Sequence, residues 1–154
     1  MICHTAKLTY NLGDVIRIRI LADVHYGHKT CDVRALKEYL RVEDPNTYFV
    51  GNGDLLDSIV VKDSRRYRKS MDDTAGDDLL DEQINGMVAL LEPVKEKILG
   101  LGTGNHEDAI TRMCSTNPMK RLCGTLGVPF LGYSWLLRLS MVDKKGGRGR
   151  AVVI

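Results

Sequence analysis

Three apolar runs each end in a short polar cluster, and this repeated pairing constrains the chain more than any other feature. Val15 to Ala22 runs into Asp23-Val24-His25-Tyr26-Gly27-His28, Thr47 to Val50 leads to Gly53-Asp54-Leu55-Leu56-Asp57, and Ile98 to Leu101 leads to Gly104-Asn105-His106-Glu107. Short runs of this kind, bounded by turn signals, predict buried strands. Between the first two, Asp32 can cap a helix running to about Val42, with Val33, Leu36, Tyr39 and Leu40 on one stripe. Strand, helix, strand is a βαβ unit, which implies parallel pairing and a right-handed crossover. The predicted class is therefore α/β. In open sheets of that class, ligand sites gather at the carboxyl ends of the strands. Asp, His and Asn placed at three such ends point to a metal site assembled from distant parts of the chain.

The rest of the pattern is consistent with one domain over 1–154. Lys7 to Leu12 alternates weakly before a Gly13-Asp14 turn. Arg17 and Arg19 alternate with Ile16, Ile18 and Ile20, predicting an edge strand that starts wet and enters a buried centre. Asp63 to Asp73 reads as irregular, and Asp77 caps a long helix that Pro93 kinks or restarts. Shorter helices are predicted at His106 to Met113 and Pro118 to Leu126. Strands are predicted at Val128 to Leu131, Tyr133 to Val142 and Ala151 to Ile154. The last run reaches the final residue without a cap, so the domain is expected to be truncated at its C-terminal end.

Composition excludes several classes. At 154 residues, 44% hydrophobic and 27% charged, the chain can bury a core and stay soluble, while a net charge of +2 makes no overall case for nucleic acid. No stretch approaches the ~20 apolar residues of a membrane span, and Met1 to Leu12 lacks a signal-peptide core. The expected location is cytoplasmic, with no membrane partner. Cys3, Cys31, Cys114 and Cys123 form no Cys-x-x-Cys pair and read as reduced thiols, most of them core fillers, with Cys3-His4 too isolated for a metal site.

Each polar cluster has a functional and a bland reading. Asp23-x-His25 offers a hard oxygen and a borderline nitrogen, a mixture suited to Mn²⁺, Fe²⁺, Zn²⁺ or Co²⁺; alone, it is a polar pair in a loop. Gly53 permits a tight turn that would set Asp54 at a strand tip, where its carboxylate could bridge ions. Asn52-Gly53 is also a hairpin signal, although no clean return strand follows. Asp57 lies one turn from Asp54 and could cap or orient. Asn105 offers a carbonyl ligand, and His106 a general acid or charge stabiliser; the bland alternative for Asn105-His106-Glu107 is a helix start with a favourable early acid. Gly100, Gly102 and Gly104 do not fit a dinucleotide fingerprint. The joint occurrence of all three clusters at predicted strand ends favours a shared site.

The order Asp-x-His, Gly-Asp-x-x-Asp, Gly-Asn-His-Glu closely resembles the calcineurin-like metallophosphoesterase superfamily, tightly over Asp23 to Glu107 and loosely elsewhere. The resemblance implies a metallophosphoesterase-type β-sandwich flanked by helices (αββα), incomplete at the C-terminus, and a centre of two divalent metal ions. Mn²⁺ heads the implied metals, with Fe, Zn, Co or Ni as alternatives. Carried over, Asp23 and His25 resemble ligands of the first ion, Asp54 the bridging carboxylate, Asn105 a ligand of the second ion, and His106 the histidine that assists the leaving group. His28, Asp57 and Glu107 would lie near substrate or behind the ligands. The superfamily completes its site with later Gly-His and Gly-His-x-His segments, whereas this chain has only His4, His25, His28 and His106. With fewer ligands, this chain alone is expected to turn over weakly or not at all.

The implied function is hydrolysis of phosphomonoesters or phosphodiesters. Lys62, Arg65, Arg66, Arg68 and Lys69 around Tyr67 tilt the expectation toward a nuclease or nucleotide phosphodiesterase, with a nucleic acid or nucleotide as partner. A solvated loop balanced by Asp72, Asp73, Asp77, Asp78, Asp81 and Glu82 is the bland reading of that patch. Lys144, Lys145, Arg148 and Arg150 make a second basic cluster, and Trp135 reads as core. The competing functional class is a non-catalytic remnant or binding module that keeps a half-formed metal site.

Overall fold

Parallel pairing organises one half of the molecule. The computed structural model describes residues 2–58, 79–145 and 149–154. Strands β2 (Arg17–Leu21), β3 (Thr47–Gly51), β4 (Ile98–Gly102) and β5 (Phe130–Gly132) form a four-stranded, all-parallel sheet in that order. Helix α1 (Val33–Leu40) joins β2 to β3. Its N-cap is Asp32, whose Oδ1 accepts the Ala35 N–H at 2.9 Å. Helix α2 (Leu79–Leu91) precedes β4 and passes into a 3₁₀ turn, Glu92–Lys97, because Pro93 denies the helix a backbone donor. Helices α3 (Asn105–Cys114) and α4 (Pro118–Leu126) connect β4 to β5. α4 has Asn117 as cap, Pro118 in its first turn and a left-handed Gly127 at its end, the usual punctuation of a short helix.

A second, mixed sheet has the order β1-β6-β7, formed by β1 (Ile2–Tyr10), β6 (Trp135–Asp143) and β7 (Arg150–Val153). β1 runs parallel to β6 along its full length, from Ile2 opposite Trp135 to Tyr10 opposite Asp143, and β7 is antiparallel to β6. Alternation across a strand sends neighbours to opposite faces, and β3 shows the result. Phe49 joins a cluster with Leu36 and Leu40 of α1, Met87 and Leu91 of α2, and Leu122 of α4. Val50, next to it, joins a cluster with Leu8, Leu131, Leu137 and Leu139, drawn from both sheets. Trp135 packs against this second cluster, as expected of a core residue. The architecture is mixed α/β.

Three expectations need adjustment. Among the described residues β2 borders only β3, the edge position expected, but Ile20 remains 48% exposed and burial is reached only at Leu21, 3% exposed. The weak alternation of Lys7 to Leu12 belongs to a nine-residue strand starting at Ile2, whose partner lies more than 130 positions away by the register Ile2 to Trp135. Asn105, and not His106, opens α3. The basic patch Lys62 to Lys69, the Asp63 to Asp73 segment, the Asp77 cap and Arg148 lie outside the described residues. Among the described residues, no helix is long and apolar enough to cross a membrane.

Contrary to the expectation that most of the cysteines fill the core, only one of the four is buried. Cys3 and Cys114 are exposed, Cys31 is half-buried and Cys123 is buried. Burial raises the Cys31 thiol, with the nearby Asp32 charge adding to the effect, and pushes Cys123 up to about 12. The thiolate is the reactive form. At pH 8, a thiol reagent followed by mass spectrometry is therefore expected to label Cys3 and Cys114 first and Cys31 slowly. Cys123 should react only after denaturation, and its rapid labelling in the native protein would contradict this packing.

Candidate metal centre

The polar clusters after β2 and β3 continue the parallel ladder beyond the sheet. Asn52 donates its N–H to Leu21 O at 2.8 Å, Asp23 to Gly53 O at 3.2 Å, His25 to Asp54 O at 3.0 Å, Tyr26 to Leu55 O at 2.9 Å and Asp57 to Tyr26 O at 3.0 Å. The two loops are thus laced together by main chain, independently of their side chains. Asn52-Gly53 makes no hairpin. Gly53, at φ +99°, lies so close to the third loop that a Cβ there would sit 2.4 Å from the Gly104 nitrogen, and only glycine permits that approach.

Backbone strain concentrates here. Among the described residues, five non-glycines have positive φ: Asp23 (52°), His25 (49°), Asp54 (51°), Ser58 (51°) and Ser115 (53°). The first four belong to these two loops. Left-handed non-glycine residues cost of order 1–3 kcal/mol each and cluster at functional sites. The loops therefore hold Asp23, His25 and Asp54 in conformations that free peptides would leave.

The third loop is fastened from beneath by Glu107, which is fully buried. Its Oε2 accepts N–H bonds from Gly104 at 2.9 Å and Asp54 at 3.1 Å, and its Oε1 accepts the Leu56 N–H at 2.9 Å. The bond to Gly104 is half of a capping box at the start of α3; glycine has no side chain to return it. Burial holds the Glu107 carboxyl above its ordinary range, and the Asp54 charge adds a smaller push; the N–H donors oppose both. With no exposed surface, Glu107 sits behind the ligands and has no access to substrate.

Asp54 Oδ1 accepts the His106 N–H at 2.9 Å, which orients the carboxylate at the head of α3. Single ligand atoms of Asp23, His25 and Asp54 all lie within 4.8 Å of one another. The Asp23 Oδ1 to His25 Nε2 separation is 4.0 Å, too long for a hydrogen bond. An ion with bonds of about 2.1 Å separates two of its ligands by roughly 3.0–4.2 Å, depending on the angle. The donor set and spacing therefore fit a divalent ion after at most a small closure.

A second group, His25, Asp57 and His106, also lies within that radius and could hold an ion. Asp57 Oδ1 is 3.9 Å from His25 Nδ1 and 3.8 Å from His106 Nδ1, and the two rings meet edge to face at 4.4 Å between centroids. His106 Nδ1, however, lies 2.7 Å from the Asp57 carbonyl oxygen. A carbonyl can only accept, so Nδ1 carries the hydrogen and Nε2 is the ring's free nitrogen. In this arrangement the Asp57 carbonyl orients His106, the Asp57 carboxylate lies near His25 without bonding it, and a ligand role for His106 Nδ1 would require breaking the bond to the carbonyl.

The remaining candidates stand further out. Asn105 is exposed at the first position of α3, beside the residue that anchors Asp54. His28 is half-buried, with Nδ1 2.7 Å from Thr30 Oγ1, and belongs to neither ligand group. Asp57, expected from the sequence to cap or orient, is buried beside both rings. Comparison with protein-family models, curated proteins and solved structures returns no match.

Proposed function

We propose that this chain carries the ligand-bearing part of a metal-dependent phosphoesterase of the calcineurin-like type, acting on phosphomonoesters or phosphodiesters through a two-metal centre. The observation that carries the proposal is the convergence of Asp23, His25 and Asp54 from two strand ends in left-handed backbone, with Asp54 tied to His106. Helices against one face of the parallel sheet and a second sheet sharing a core on the other support the αββα arrangement. Asp23, His25 and Asp54 would hold the first ion, with Asp54 and Asn105 extending to the second. Mn²⁺ suits the mixed oxygen and nitrogen donors, with Fe, Zn, Co or Ni as alternatives. Bound divalent ions would supply a hydroxide nucleophile and neutralise phosphoryl charge.

The protein's own contribution is positioning and proton transfer. The Asp57 carbonyl holds the His106 Nδ1–H, so Nε2 would deliver a proton to the departing ester oxygen from the doubly protonated ring, leaving the neutral Nδ1–H tautomer behind. Asp57 also faces His25 Nδ1, leaving His25 Nε2 toward Asp23. The preference for a nuclease or nucleotide phosphodiesterase rests on the basic patch at 62–69 and carries no support from the described residues.

His106→Ala separates metal binding from proton transfer. Its Mn²⁺ affinity should stay close to wild type, because the backbone N–H to Asp54 survives. Mn²⁺-dependent hydrolysis of bis-p-nitrophenyl phosphate, however weak in the wild type, should fall by about 10²–10⁴. Undiminished hydrolysis would remove His106 from the mechanism. Metal binding without any hydrolysis sensitive to His106 would instead favour a non-catalytic binding module.

A further inference from the structure

We propose that Gln83 of α2 is the positioning residue that locks the two ligand-bearing loops together from behind, and so sets metal affinity without touching the metal; this rests on the phosphoesterase-type site above. Gln83 is only 4% exposed. Buried carboxamides are uncommon and are retained where their hydrogen bonds are made. The Gln83 Oε1 accepts the Ser58 N–H at 2.9 Å. Ser58 is buried, sits at φ +51° and directly follows Asp57, the residue that faces His25 and His106. The bond therefore holds a strained peptide at the point where Asp57 is aimed.

The same side chain reaches the other loop. Gly27, at φ +98°, packs so tightly on Gln83 that a Cβ there would lie 2.5 Å from its Nε2. Gly27 follows His25 and Tyr26, whose N–H groups bond to the Asp54 and Leu55 carbonyls. A single buried side chain on a helix thus touches both loops. Next to it, Tyr26 packs on α2 at Gly86, where a Cβ would meet the tyrosine hydroxyl at 2.3 Å. This braces the same loop against the same helix.

A residue that only satisfied one buried N–H would protect Ser58 and nothing else. A brace makes the two loops open together, which amide hydrogen exchange of the wild-type chain without metal can read. The Ser58, His25, Tyr26 and Asp57 amides should share one opening equilibrium. In Gln83→Met, which keeps the volume but loses the acceptor, all four should exchange at least about tenfold faster while β4 amides are unchanged, the size expected for one lost buried hydrogen bond. Mn²⁺ affinity of that variant should fall by about 10–100-fold, as for other residues that orient ligands. Acceleration confined to Ser58, or four unrelated wild-type opening equilibria, would overturn the proposal. Absence of Mn²⁺ binding by the wild type would overturn the metal site but leave the exchange result to judge the brace. A variant too unstable to fold leaves the wild-type exchange pattern as the deciding measurement.

Discussion

Asp54→Ala is expected to weaken Mn²⁺ binding by at least about 100-fold, more than the 10–100-fold typical when a residue that merely orients a ligand is removed. Two losses combine. The substitution deletes one of the three ligand groups that converge within 4.8 Å, and it leaves the His106 N–H without the carboxylate it donates to. Asp54→Asn isolates the charge, because asparagine tolerates the left-handed backbone at this position as readily as aspartate. It should bind better than the alanine variant and worse than wild type. Titration followed by the Mn²⁺ EPR signal measures all three proteins. An Asp54→Asn variant with wild-type affinity and wild-type Mn²⁺-dependent hydrolysis would sink the assignment.

Glu107→Ala should produce the largest loss of stability. Three backbone N–H groups, buried at Leu56 and partly buried at Asp54 and Gly104, have the Glu107 carboxylate as acceptor. Each donor left without a partner costs roughly 1–3 kcal/mol, and the emptied side-chain volume adds a cavity. A total of at least about 3 kcal/mol is expected, a large part of the ~5–15 kcal/mol that stabilises a typical domain. Glu107→Gln is not a silent replacement, since both carboxylate oxygens accept and an amide nitrogen would face a donor. Urea unfolding monitored by circular dichroism decides the matter. A loss below about 1 kcal/mol for the alanine variant would mean that water or relaxation replaces those bonds.

How much of this could be read in the sequence follows from the range of the interactions. Asp23, His25 and Asp54 were legible because each follows an apolar run, and parallel strands bring their carboxyl ends together. Pro118 to Leu126 was legible to the residue because Asn117, Pro118 and Gly127 punctuate it locally. The pairing of β1 with β6 was not, because nothing in Ile2–Tyr10 names a partner so far along the chain. Glu107 shows the same limit: its place three residues after Gly104 reads as a helix-start acid, yet its bonds to Asp54 and Leu56 span 53 and 51 positions. Asp57 could be seen as a helper, but its position between two imidazoles depends on Gly53 and the third loop meeting in space. The αββα assignment and the chemistry rest on the resemblance.

The position of β2 at the border of its sheet gives the ligands unequal permanence. Among the described residues, the loop bearing Asp54 is flanked on one side by the loop at 23–28 and on the other by the backbone at Gly104, whereas the loop bearing Asp23 and His25 has a main-chain neighbour on one flank. Local opening starts where fewest bonds must break. Asp23 and His25 therefore swing out together, and through Gln83 the Asp57–Ser58 end of the second loop loosens in the same opening, while Asp54 keeps its bonds to His106 and Glu107. Ion release from such a site is governed by the swing of a single edge segment, so its rate should follow the lifetime of four peptide hydrogen bonds between residues 23–26 and 53–57 more closely than the strength of any one metal–ligand bond.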